Sequence, residues 1–174
     1  MKKLLALMLA LVMALSLAAC SSAPAGDASK TPDDSQNTAA PAGGDNVIKI
    51  GVFEPLSGDS ASGGKKEYLG MQYANSETPT VEVNGTTYTI ELVPADNGSS
   101  TDKAPSAASQ LVSEGVSLVL GSYGSGVSIA GGPKFDEGGI AAVGVTCTNP
   151  NVTAGNDYYF RVCFLDPFQG TVLA

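Results

Sequence analysis

Apolar and polar positions divide this chain into three stretches. From Leu4 to Leu17 the residues are Leu, Ala, Met and Val with a single Ser. From Ser21 to Asp45 there is no aromatic and no branched aliphatic residue. From Val47 onward, short apolar runs alternate with Gly-rich polar segments.

The third stretch carries the elements. Val47 to Phe53 reads as a strand, and its apolar character on both faces suits the centre of a parallel sheet. Glu54 to Gly64 reads as a loop. Lys65 to Asn75 reads as a helix with Leu69 and Tyr73 on its apolar face, weakened by Gly70. Asn84-Gly85 between two alternating runs, Thr80–Val83 and Thr86–Pro94, predicts a hairpin. A helix is expected over Asp102–Glu114, capped by Ser100 or Thr101, with Pro105 early and Gly115 at its end. Val116–Leu120 reads as a buried strand and residues 121–126 as a loop. Val127–Glu137 gives a weak helix, because Gly131, Gly132 and Pro133 lie inside it. Strands are expected over Ile140–Val145 and Tyr158–Cys163. Asp166-Pro167 reads as an N-cap followed by Pro at N1, opening a last helix. This alternation predicts an α/β fold, doubly wound on a mainly parallel sheet.

Composition narrows the chemistry. The 174 residues are 43% hydrophobic and 15% charged, enough apolar content for a core. There is no His and no Trp. Nucleophile–His machinery and imidazole metal sites are therefore excluded, and no metal site or cofactor is expected. With 9 basic and 17 acidic residues and no basic cluster, nucleic acid is not an expected partner. An enzyme is not expected either, since no nucleophile–base set exists. Gly124-Ser125-Gly126 lacks the spacing of a nucleophile elbow.

The first two stretches read as export and attachment. Met1-Lys2-Lys3 is a positive n-region ahead of an apolar segment shorter than the roughly 20 residues that span a bilayer comfortably. Leu17-Ala18-Ala19-Cys20 resembles the lipobox of bacterial lipoproteins. That resemblance implies a signal peptide over 1–19, cleavage before Cys20 and lipidation of Cys20. Residues 20–46 are then a lipidated flexible linker, too poor in apolar residues to fold. Without Lys2 and Lys3 the chain carries seven basic and 17 acidic residues, a formal charge of −10. Acyl chains rather than a basic patch would hold it at the cell membrane, on the extracytoplasmic face.

In a doubly wound sheet, ligands sit beyond the carboxyl ends of strands. Loops 54–64, 121–126 and 146–153 should therefore line one edge. All are rich in small and hydroxylic residues, and a helix N-terminus behind Ser125 would favour an anionic group. Asp96 and Asp102 do not fit calcium-loop spacing and read as a turn acid and a helix-start acid. Arg161 suits a carboxylate but sits in a strand, which favours a structural pair, with Asp166 as the candidate partner. Cys147 and Cys163 read as two half-buried thiols, although export would permit a disulfide.

Three further features carry a family resemblance: Ile48 through Gly58, Leu120 through Ser125, and Gly139 through Thr148. A fourth runs from Tyr159 through Gly170. In order and spacing they resemble the substrate-binding lipoproteins of ABC importers for leucine, isoleucine and valine, which are type I periplasmic binding proteins. The resemblance implies two α/β lobes closing on an amino acid, delivery to membrane permease subunits, and no catalysis. It implies ligand contacts at Ser125, through hydroxyl and N–H, and at Thr146 and Thr148. A ligand-sensing receptor ectodomain on the same fold is the alternative. Two departures stand out. The aromatic that covers the ligand side chain in some relatives is replaced here by Gly63 or a neighbour. Residues 47–174 correspond to a truncated N-terminal lobe, so the carboxylate a second lobe would give the ligand ammonium has no counterpart. A lobe alone is expected to bind weakly or not at all.

Overall fold

The computed structural model describes residues 46–174; the expectations for the signal peptide, Cys20 and the linker lie outside them. Among the described residues, six strands and four α-helices follow one another as β1 (Val47–Glu54), α1 (Ala61–Glu77), β2 (Thr80–Val83), β3 (Thr86–Asp96), α2 (Ala104–Ser113), β4 (Leu118–Gly121), α3 (Ser125–Gly138), β5 (Ala142–Gly144), β6 (Tyr159–Arg161) and α4 (Asp166–Leu173). A short 3-10 turn, Pro150–Val152, lies between β5 and β6.

The strands form one sheet in the order β2-β3-β1-β4-β5-β6. Only β2 pairs antiparallel, through the Asn84-Gly85 hairpin, where both residues take positive φ. All other pairs are parallel. From β1 the chain winds outward to β3, then crosses to β4 and winds the other way. The switch point therefore falls between the carboxyl ends of β1 and β4, where such sheets bind ligands.

The two faces of the sheet are packed unequally. Phe53, Val93 and Val119 point to the side of α2 and α3, joining Ala104, Ala107, Ala108, Leu111 and Phe135 in the buried core. Ile50, Ile90, Leu92 and Leu120 point to the opposite side. There they line an apolar crevice of about 310 Å³ beneath α1, together with Met71 and Ala74. Gly64 is the only buried residue of α1.

Several sequence expectations need correction. Helix α1 begins at Ala61, so the last four residues of the expected 54–64 loop are helical. Leu69 and Tyr73 do share a face, but it points to solvent, with 64% and 67% exposure. Helix α2 starts at Ala104 rather than Asp102. Neither Ser100 nor Thr101 caps it by side chain; instead the Ser100 carbonyl accepts from the N–H groups of Lys103 and Ala104. In α4 the N-cap is Leu165, and Asp166 is the first helical residue, favourable in the first turn.

Helix α3 runs three residues longer than expected and passes unbroken through Gly131 and Gly132, which serve as packing devices. A Cβ at Gly131 would lie 2.6 Å from the Phe53 ring, and one at Gly132 would lie 3.3 Å from the Tyr159 ring. The low helix propensity is offset by close approach to the sheet. Phe135 then reaches Phe53 edge-on at 5.3 Å and Tyr159 at 6.3 Å.

Candidate functional site

The carboxyl ends of β1, β4 and β5 bring three loops to one edge of the sheet. Each is fixed by a distinct polar anchor, and each anchor is a residue at or near a strand end.

The loop after β1 is held from the end of β3. One Asp96 carboxylate oxygen accepts from the N–H groups of Leu56 (2.8 Å), Ser57 (3.1 Å) and Gly98 (2.8 Å). Partial burial pushes this carboxyl up, but the Ser57 hydroxyl and these three N–H groups outweigh it, so Asp96 lies below the usual carboxylate range. Ser99 adds a second tie, donating to the Ser57 carbonyl and accepting from Ser60 N–H. Asp96 is thus a turn acid, as its sequence context suggested, while Asp102 lies in the turn before α2.

The loop after β4 is held from β1 and β3. Tyr123 N–H donates to Glu54 at 2.8 Å, and buried Asn97 donates to Ser122 Oγ at 2.9 Å. Gly124 has φ of 101° and serves as the N-cap of α3, which places Ser125 at the first helical position. Ser125 is half-buried, and its hydroxyl accepts from Asn149 N–H at 3.1 Å.

The loop after β5 is held by Arg161. Its guanidinium donates to the carbonyls of Cys147 (3.0 Å), Asn149 (2.8 Å) and Pro150 (3.1 Å), and to Thr153 Oγ1 (2.7 Å). The expected Arg161–Asp166 pair is not formed: a rigid fork with several donors is better satisfied by a turn of converging carbonyls. Asp166 N–H instead donates to the Thr148 carbonyl. Cys147 and Cys163 are free thiols. Burial, with Cys163 nearby, pushes the Cys147 thiol up to about 11, so it is protonated and unreactive at neutral pH.

The three residues expected at the ligand are therefore placed as follows. Ser125 and the 146–153 loop are joined directly through Asn149, with Thr148 adjacent. The Thr146 hydroxyl is turned the other way, donating to Glu67 of α1. A cavity of about 380 Å³ opens beside them, lined by Asp59, Ser60, Gly63, Lys66, Glu67 and Tyr123, among others, and none of the three lines it directly.

Sequence reasoning missed Tyr123, Glu54 and Glu67. Tyr123 matters because its ring covers Gly63: a Cβ built there would meet ring carbons at 2.5 Å. An aromatic is thus present over that spot, delivered by the neighbouring loop. Gly64 has a harder constraint, its Cβ falling 2.5 Å from the Pro55 carbonyl oxygen. Gly64→Ala is therefore expected to cost about 1–3 kcal/mol in urea unfolding. Gly63→Ala should cost clearly less, because a surface ring can swing aside while backbone cannot.

Against known proteins, residues 47–174 match the model of the periplasmic binding protein family. Leu/Ile/Val-binding protein homolog 2 of Brucella abortus is 33% identical over 127 residues, covering 72% of this chain and 34% of that protein. The leucine binding protein LivK of Thermotoga maritima superposes with a TM-score of 0.67 at 36% identity, covering 73% of this chain and 35% of that one. The branched-chain amino acid transporter substrate binding protein LivJ of Streptococcus pneumoniae, solved with isoleucine, gives 0.65 at 32%, covering 73% and 36%. The chain spans about a third of the length of these relatives. With the doubly wound sheet, its switch-point loops and a match across every described element, the chain belongs to the periplasmic binding protein family.

Proposed function

We propose that this protein is the extracytoplasmic solute-binding component of an ABC importer, lipid-anchored through Cys20, that captures an aliphatic, branched-chain amino acid and delivers it to membrane permease subunits. The observation that carries this reading is the joining of Ser125 to the 146–153 loop at the switch point. It occurs in a chain 32% identical to a protein solved with isoleucine.

The roles follow from the chemistry of a zwitterion. Ser125 offers a hydroxyl and an N–H at the start of a 14-residue helix, a favourable place for a carboxylate. Thr148 offers a hydroxyl, and the Thr146 backbone a carbonyl, to the ammonium group. The Tyr123 ring supplies apolar cover for a side chain on the Gly63 side.

Isothermal calorimetry on the full-length two-lobed protein, without its signal peptide, tests this with a panel of amino acids and amides. Saturable binding of leucine, isoleucine or valine is expected. Ser125→Ala should weaken that binding tenfold or more, about 1.4 kcal/mol or greater. Absence of binding to every amino acid and amide would overturn the substrate assignment.

A further inference from the structure

Two buried carboxyl oxygens are left over by the hydrogen bonds described above. Glu54 is fully buried at the end of β1; its Oε2 accepts from Tyr123 N–H, and its Oε1 has no partner. Glu67, half-buried on α1, accepts from the Thr146 hydroxyl at Oε1, and its Oε2 has no partner. The two side chains are neighbours: Tyr123, whose N–H meets Glu54, lines the same cavity as Glu67, and Glu67 acts on Glu54 through its charge. A pair of charged carboxylates placed so would repel, with the two leftover oxygens shut off from solvent. One proton removes the repulsion and satisfies both leftover oxygens at once.

We propose that Glu54 and Glu67 share a single proton, with Glu54 as the acid and Glu67 as the carboxylate, and that this pair positions the loops after β4 and β5 against α1. The chain of contacts runs from Tyr123 N–H through Glu54 and Glu67 to the Thr146 hydroxyl. It thereby links the residue that covers Gly63 to the loop that carries Thr148. Glu54 and Glu67 are positioning residues: their effect on an amino acid is exerted through Tyr123 and Thr146.

Burial, and then the charge of Glu67, push the Glu54 carboxyl up to about 9. Two other titratable groups near the pair stay neutral across that range. Tyr159 of β6, whose hydroxyl donates to the Gly121 carbonyl, and Cys147 of the loop after β5 are both pushed up by burial. Asp59 and Lys66 lie on the cavity beside Glu67. The folded state then holds a proton that the unfolded chain releases above the ordinary value of 4.5. The pair's contribution to stability is fully present below that value and is lost as the pH rises toward about 9. Asp96, held low, acts in the opposite sense and only in acid, as the pH falls through its folded value.

Carbon NMR of glutamate-labelled protein, followed from about pH 5 to about pH 10, reads the pair directly. One glutamate carboxyl should remain protonated at neutral pH and titrate far above the rest, and Glu54→Gln should remove that signal. Glu54→Gln keeps a donor toward Glu67 and an acceptor for Tyr123 N–H, so the variant should fold and lose the alkaline decline in stability. In Glu67→Gln the Glu54 titration should move toward acid, because the neighbouring charge is gone. That second variant decides the matter if Glu54→Gln does not fold. Titration of every glutamate below about pH 6, or an unchanged Glu54 signal in Glu67→Gln, would overturn the proposal.

The link to ligand rests on the function proposed above and has its own readout. Isoleucine affinity should fall about fivefold or more between mildly acidic and mildly alkaline pH in the wild type, and stay level in Glu54→Gln. A level profile in the wild type would refute the positioning role. Failure to bind isoleucine at any pH would refute the function, while the carboxyl titration would still decide the pair.

Discussion

Replacing Phe135 with alanine should lower the unfolding free energy by about 3–5 kcal/mol. The side chain is fully buried and stands between Phe53 of β1 and Tyr159 of β6, so its removal opens a hole that three elements border. The glycines of α3 already place that helix against the sheet, so little inward collapse is available to fill it. Domains of this kind have about 5–15 kcal/mol in total, so a loss of that size consumes a large share. The measurement is a urea titration, with a lower midpoint at an unchanged slope. The damage should also reach the site. Tyr159 donates its hydroxyl to the Gly121 carbonyl at 2.8 Å, and Gly121 ends the strand that leads to Ser125. A change of less than about 1 kcal/mol would mean that Phe135 is not a keystone of the core.

Arg161→Ala should cost about 2–4 kcal/mol, and its effect should concentrate on one loop. A single half-buried guanidinium serves three carbonyls and one hydroxyl between Cys147 and Thr153. Without it those acceptors must find water, and the turn around Thr148 loses its template. Arg161→Lys should recover less than half of the loss, since an ammonium group cannot span converging carbonyls on two nitrogens. Thermal unfolding measures the cost. Amide spectra should show broadening confined to residues 147–153 and to Ser125, whose hydroxyl meets Asn149 N–H. Uniform change across the sheet would instead point to a general loss of packing.

What could be read from the residues alone follows a physical divide. Strand β1 and the Asn84-Gly85 hairpin depend on local chemistry, and each appears where expected. The alternation of elements was enough to set the sheet's connectivity, and hence the edge on which the loops gather. The starts of α1 and α2 were misjudged because backbone turns, not capping side chains, begin them. The weight given to Leu69 and Tyr73 failed for another reason: helical spacing says that two residues share a face, not that the face is inward. Glycines 131 and 132 looked like breakers because the surface they approach is remote in sequence. Arg161 was rightly read as structural, but its partners are carbonyls, which no side-chain pattern announces. Glu54 left a usable trace, an acidic residue directly after the apolar run Val47–Phe53. Its partner Glu67 left none, because a charged residue on an amphipathic helix is the ordinary case.

The unequal packing of the sheet has a dynamic consequence. A layer with one buried residue, lying over an apolar crevice, has little to lose by separating from the strands beneath it. Helix α1 therefore costs less to open than α2 or α3, and its amides should exchange with solvent through sub-global fluctuations that leave those two helices protected. The wall that carries Gly63 and Glu67 is thus a pliant one set against a rigid floor carrying Ser125, so a ligand at this edge would find one side already shaped and the other able to settle onto it.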